Sequence, residues 1–383
     1  MFLKRAMDEL SAGVRAEPSP TTGPRLLFFS GGSALNGLAK ALTKHTHNSI
    51  HLVTPFDSGG SSATLRRAFE MPAVGDLRSR LMALAEDSCE GHEALYRLMT
   101  LRLNGANGSQ TLRRQVEAIA AAQSDLATHL TPPTRGIICL YLQTFLDAVP
   151  SDFDFSGASI GNLVLAGGYL HDNRTLEPVT FLLNELLNVR GLVSPITEAF
   201  AELKIKTASG RSIIGQHLVT GKEHQPLGER INEIELDRPV ELPPQQAKLI
   251  RSADLIVFPP GSFYSSVLAN LLPEGVGKAV LENLAPRVYV PNLGNDPEQY
   301  GMSLKDQVLK LDQAIRKGTG DLSPELCIDL VLTDSKLLPE ADDEFAEWLN
   351  QRSVQFVDLD LADTASETRY HDLKLCEALL SLT

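Results

Sequence analysis

The sequence predicts an α/β protein built on an open, mostly parallel sheet with helices on both faces and a small antiparallel side layer. Two observations carry that prediction. Short, wholly apolar runs recur, each closed by glycine or proline and followed by a segment with helical spacing, as parallel strands buried on both faces require. Residues 202–235 instead alternate apolar and polar positions, the mark of antiparallel strands with one wet face.

Taken in order, residues 1–24 begin amphipathic and turn Pro/Ser/Thr-rich from Glu17 to Pro24, the composition of a mobile arm. The folded part is expected over 25–383 as a single domain. Arg25 to Ser30 is the first buried strand, broken by Gly31 and Gly32, and Leu35 to Leu42 is the helix after it. His51 to Thr54 is a second strand, and helices are expected over 77–86, 110–130 and Ser159 to Leu170. Gly161, Ala166, Gly167 and Gly168 in the last of these leave room for a close neighbour. The side layer is expected within 200–240. Asp254 to Phe258, Arg287 to Asn292, Ile328 to Leu332 and Val354 to Leu359 complete the strands. Helical patterns follow at Ser265 to Leu272 and His371 to Leu382.

Composition removes several classes of function. Lys and Arg number 35 against 48 Asp and Glu, a net charge of −13, which argues against general affinity for nucleic acid or an anionic membrane surface. No apolar run reaches the ~18 residues of a membrane helix, and Met1 to Gly13 lacks a signal-peptide core. The four cysteines, Cys89, Cys139, Cys327 and Cys376, are far apart with no CxxC pair, as buried reduced thiols of a cytoplasmic protein would be. His45, His47 and His51 have an HxHxxxH spacing but straddle a helix end and a strand start, so they read as a solvated turn rather than a metal site.

Ligands of open parallel sheets bind beyond the carboxyl ends of the strands, and the glycine-rich loops fall there. Gly31, Gly32 and Ser33 follow the first strand; their amides at a helix start suit an anion, although an empty strand–helix turn has the same spacing. No Lys follows, so this is no P-loop, and neither the dinucleotide glycine spacing nor its acidic ribose partner is present. The second loop, Asp57, Ser58, Gly59, Gly60, Ser61 and Ser62, combines a carboxylate, glycines and hydroxyls, followed by Arg66 and Arg67. Those are parts for holding a phosphate and a metal, and also the parts of an Asx-turn. Asp76 and Arg78 add a carboxylate and a cation at another helix start. The third loop runs from Pro259 through Gly261, Ser262 and Tyr264 to Ser266, and Tyr264 suits stacking on a base or a place in the core.

Together these segments resemble the CofD superfamily, which contains the 2-phospho-L-lactate transferases of deazaflavin cofactor biosynthesis and the YvcK-type proteins. The resemblance runs from about Arg25 to the C-terminus. It is carried by SGGS at 30–33, DSGGSSATLR at 57–66, GDLRSRLMALA at 75–85 and SIGNLVLAG at 159–167. SADLIVFPPGSFYSSVLANLL at 252–272 and RVYVPNLGNDPEQYG at 287–301 continue it. The GGSS and PNLGNDPEQYG stretches look more like the YvcK side. The resemblance implies a Rossmann-like fold whose strand-end loops bind a nucleoside-diphosphate-linked small molecule. In the transferases a guanosine-diphosphate-linked donor passes a phospholactyl group to a deazaflavin alcohol with a divalent metal. YvcK-type members bind UDP-sugars and act in carbon metabolism and envelope regulation, with no established transfer reaction.

The transferase is the first reading and the regulator the alternative: as a transferase, the chain would use Asp57 and Asp76 to hold Mg2+, and Arg66 or Arg78 to neutralise developing charge on the phosphate. Asp57, Asp76 and Arg66 would then be its catalytic residues. As a nucleotide-sugar-binding regulator, it would use the same glycine loops, with Asn162, Gly261, Ser262, Tyr264 and Asn292 lining the pocket. The chain departs from its relatives in carrying Ser58 where they have a second Asp, Ala158 before Ser159 where they have His, and Pro260 where they have Gly. Asp57 and Asp76 must therefore share the work of the paired carboxylates. A homo-oligomer is compatible with the sequence, which does not fix the assembly.

Overall fold

The computed structural model describes residues 19–86, 92–106, 108–215, 227–363 and 366–383. Residues 1–18 of the expected arm, and Cys89, lie outside them. The described end of that stretch, Pro20–Thr22, is a 3-10 turn held by the His47 amide donating to Pro20 O at 2.7 Å.

Ten strands matter for the site: β1 (Leu26–Ser30), β2 (Ile50–Val53), β3 (Leu192–Pro195), β4 (Leu203–Thr207), β5 (Ser212–Ile214), β6 (Ile231–Leu236), β7 (Leu255–Phe258), β8 (Arg287–Tyr289), β9 (Leu330–Thr333) and β10 (Gln355–Asp358). Seven of them form a sheet in the order β10-β9-β8-β7-β1-β2-β3, every pairing parallel. From β1 the chain winds outward through β2 to β3, then returns to β7 on the other side and winds the opposite way. The switch point therefore lies between β1 and β7, where such sheets open a crevice. As expected for residues 200–240, β5-β4-β6 make a separate antiparallel sheet.

Alternation along β1 explains the two covered faces. Leu26 and Phe28 pack with the helices Asn36–Leu42 and Asp372–Leu380. Leu27 and Phe29 face the opposite core, built on helices Pro244–Ser252, Val276–Glu282, Leu304–Arg316 and Asp343–Asn350. A third core belongs to the helices inserted between β2 and β3. There Gly167 confirms the close approach read from sequence: a Cβ on it would stand 1.8 Å from Tyr141 O.

Several expectations need correction. The helix expected over 110–130 is two, Ser109–Ala120 and Asp125–Thr128, because Ala122 turns the chain at φ 56° and Ser124 caps the second by accepting from the Ala127 amide. The segment expected as a helix from Ser265 begins as a π-turn, Phe263–Val267, and tightens to 3-10 at Leu268–Leu271. His51 is not in a solvated turn. It is fully buried in β2, stacked on Phe28 at 5.1 Å, and burial pushes its pKa well below the usual imidazole value. No cluster of three metal-capable side chains occurs among the described residues. Cys139, Cys327 and Cys376 are unpaired thiols, the last two buried. No described helix is long and apolar enough to cross a membrane.

Candidate functional site

A cavity of about 280 Å³ opens beyond the carboxyl ends of β2, β1 and β7, at the switch point. Gly32 and Ser33 line it from the loop after β1, and Asp57 and residues 59–62 from the loop after β2. Asp76 and Arg78 enter from the start of the helix Gly75–Leu84, and Asn162 from the helix Ile160–His171. Ser262, Ser265 and Ser266 close it on the β7 side. Most residues nominated by the sequence thus meet in one place.

The first loop is held against two partners. Asp76 lies directly over Gly32, where a Cβ would stand 2.7 Å from Asp76 Oδ1. Gly31 is not on the cavity wall; its carbonyl turns inward to Arg80 Nη2 at 3.2 Å, and Gly32 O takes the same nitrogen at 3.0 Å. Arg80 is fully buried, and burial lowers its pKa to about 10 despite the opposing charge of Asp76.

In the second loop Asp57 Oδ1 accepts from the Gly59 amide at 3.0 Å, an Asx-turn that sets the chain up for the helix Gly60–Phe69. Gly60 opens that helix at φ 51°, a conformation that favours glycine. Ser58 is not on the wall. Arg66 is the main correction here. It is buried with Nη1 donating to Phe56 O and Asp57 O, Nη2 to Ala201 O, and an ion pair to Glu202 at 3.1 Å. Those bonds hold it beneath the loop, so it supports the loop and does not reach the cavity.

Arg78 does reach it. Its Nε donates to Asn162 Oδ1 at 2.8 Å and its Nη1 to Met99 O, while Asn162 Nδ2 donates to Ser61 Oγ at 3.0 Å. Burial, followed by the like charge of Arg102, lowers the Arg78 pKa to about 10. Two guanidinium groups thus share one wall, an arrangement that an anionic ligand would relieve.

The third loop is built differently from the expectation. Gly261 sits at φ 152°, and Asn292 grips it twice, accepting from its amide at 2.8 Å and donating to its carbonyl at 2.7 Å. Asn292 and Gly261 therefore shape the loop without lining the cavity. Tyr264 is buried, with its hydroxyl on Ile231 O, and cannot stack on a ligand in this cavity. The amides at the start of this turn are already used within the protein: Phe263 N donates to Asp296, and Tyr264 N and Ser265 N to Glu298, each at 2.8 Å. Ser262, Ser265 and Ser266 are what this loop brings to the cavity, and the Ser265 hydroxyl is itself donated to Glu298.

Glu298 is fully buried, and burial, reinforced by the charge of Asp296, lifts its pKa from 4.5 to about 7. A carboxyl whose folded pKa is raised favours folding most below its unfolded value and loses that contribution as pH rises through the folded one. Glu298→Gln removes the titration. Its thermal midpoint should gain on wild type as pH rises from about 4.5 to 7.5. Parallel melting curves across that range would refute the assignment.

Asp57 and Asp76 are the carboxylates on the wall, flanked by serine hydroxyls. That all-oxygen set suits Mg2+, which takes one or two carboxylates and completes its shell with water and phosphate oxygens. The residues fit the ion. Sequence reading missed Gly75, Ser79, Arg102, Ser265 and Ser266 on the wall, and Arg80 below it. Ser265 and Ser266 stand in a segment already singled out. Arg102 carries no local signal; an antiparallel bridge to Ser159 places it.

Residues 26–374 match the family described as 2-phospho-L-lactate transferase CofD. The gluconeogenesis factor of Bacillus subtilis is 27% identical over 342 residues, covering 89% of this chain and 87% of that protein. That of Halalkalibacterium halodurans is 30% identical over 277 residues, covering 70% and 66%. A Thermotoga maritima relative is 27% identical over 338 residues, covering 88% and 86%. The crystal structure of a UPF0052 family member from Bacillus halodurans superposes with a TM-score of 0.68 at 24% identity, covering 94% of this chain and all of that one, a likeness of fold. With the switch-point cavity and its glycine loops, this match places the chain in the CofD family.

Proposed function

We propose that this protein binds a nucleoside-diphosphate-linked small molecule, of the nucleotide-sugar kind, and acts as a regulator in the manner of the gluconeogenesis factors it is similar to. The observation that carries the reading is one cavity at the switch point with glycine loops on one side and Arg78 and Arg102 on the other. Amides and serine hydroxyls would hold the diphosphate, and the two guanidinium groups would offset its charge. The tests are a thermal-shift series and calorimetry with UDP-glucose, GDP, uridine and guanosine, each with and without Mg2+. The diphosphates should raise the midpoint, since a ligand at 100 times its Kd adds about 2.7 kcal/mol of stability. The nucleosides should not. Equal shifts from both sets would remove the reading.

A transferase reading is favoured by one observation, the two carboxylates Asp57 and Asp76 facing the same cavity. When bound, Mg2+ would supply charge stabilisation at the diphosphate, with Asp57 and Asp76 as its protein ligands. The chain's own part would be to orient the phosphates through the glycine loops and to neutralise charge through Arg78. Asp57→Ala separates the two readings. On the regulator reading it weakens binding about tenfold and no product forms from donor and acceptor in either protein. A donor-derived product, with turnover falling far more than affinity in the variant, would establish the transferase instead.

A further inference from the structure

We propose that Arg80 is the positioning residue that turns the first glycine loop into an anion site, by holding two successive carbonyls so that the amides behind them face the cavity. The inference rests on the diphosphate-binding reading and names the device that would serve it.

The geometry begins with the peptide plane. In a trans peptide the C=O and the following N–H point in opposite directions. Gly31 O and Gly32 O both turn to Arg80 Nη2, at 3.2 and 3.0 Å. The N–H groups of Gly32 and Ser33 therefore point the other way, and Gly32 and Ser33 are the residues of this loop that line the cavity. Two consecutive amides aimed at one space make a concave anion site.

A second observation makes the arrangement more than loop packing. Arg80 is fully buried, yet its Nε and Nη1 have no hydrogen-bond partner. A buried guanidinium with unmet donors is unfavourable on its own, and a neutral side chain of the same length would fill the space at less cost. Its charge lies one peptide layer below the cavity floor, where an anion bound above would offset it. The loop after β2 has the same construction, with Arg66 holding the consecutive carbonyls of Phe56 and Asp57. There Glu202 forms a direct ion pair with the cation, whereas Arg80 makes none among the described residues and feels only the nearby charge of Asp76, a residue of the cavity wall.

The experiment titrates inorganic pyrophosphate and GDP into wild type, Arg80→Met and Arg80→Lys by calorimetry, alongside melting of each protein without ligand. Wild type should bind both. Arg80→Met should bind each about tenfold more weakly, the loss expected for a charge-assisted contact, while its ligand-free midpoint holds or rises. Arg80→Lys keeps the charge but not the fork, and should fall between them. Affinity in both variants equal to wild type overturns the proposal. Should Arg80→Met fail to fold, glycine-labelled wild type decides: pyrophosphate should move the Gly32 amide resonance, and binding that leaves Gly32 unmoved overturns the proposal. If wild type binds neither probe, the diphosphate reading itself has failed, which is a separate outcome.

Discussion

Gly32→Ala is expected to lower the affinity for GDP and UDP-glucose by tenfold or more, roughly the effect of losing one charge-assisted contact and displacing a second group, with little change in melting temperature. The added methyl would stand 2.7 Å from Asp76 Oδ1 and within 4 Å of the whole carboxylate. Asp76 is a half-buried side chain on the cavity wall and no part of the apolar core, so displacing it leaves the core packed. The fold survives; the site does not. The new methyl would cover the face of Gly32 that a phosphate must approach, and Asp76, once swung aside, could no longer share a Mg2+ with Asp57, so the loss is expected in full when Mg2+ is present. Calorimetry beside a thermal melt checks both halves. A large fall in melting temperature, or unchanged affinity, would show that Gly32 is needed for packing alone or for nothing.

Gly167→Ala should cost about 3 kcal/mol or more of stability. Its Cβ would lie 1.8 Å from Tyr141 O and 2.6 Å from the carbonyl carbon, so the clash is with backbone of the helix Pro132–Ala148 and no rotamer relieves it. The two helices would have to part, and this pair anchors the insert that carries Asn162. Gly136→Ala, on the same helix with nothing within 4 Å of the new Cβ, is the matched control. It should stabilise by about 0.5–1 kcal/mol, since alanine loses less backbone entropy on entering a helix. Denaturant midpoints of the two variants should move in opposite directions. Similar shifts would mean that the helix pair adapts, and that its close contact matters little.

The order of elements was legible because burial on both faces leaves a mark in the chain itself. Leu255–Phe258 is apolar throughout and Leu26–Ser30 is apolar up to its last residue, and the glycines after them are where a chain must turn. β3 escaped notice because it is the edge strand, with Leu192 and Ser194 half-buried, so its apolar signal is diluted. Family resemblance and loop composition likewise brought Asp57, Asp76, Arg78 and Asn162 into view, and the fold gathers them on one cavity.

What sequence could not decide is the direction in which each polar side chain spends its hydrogen bonds. Arg66 and Arg78 look alike along the chain, one beside a glycine loop and one beside an acidic helix start. Arg66 is drawn under its loop by the Phe56, Asp57 and Ala201 carbonyls, and the last of these is 135 residues away. In the third loop, Glu298 and Asp296 arrive from more than 30 residues downstream to occupy the amides at the start of the turn. Sequence by itself determined the class of fold, the edge of the sheet where a ligand would sit, and the chemical types gathered there. Tertiary structure alone decided which donors and acceptors are already satisfied within the protein, because a buried polar group takes whichever partner the packing brings nearest.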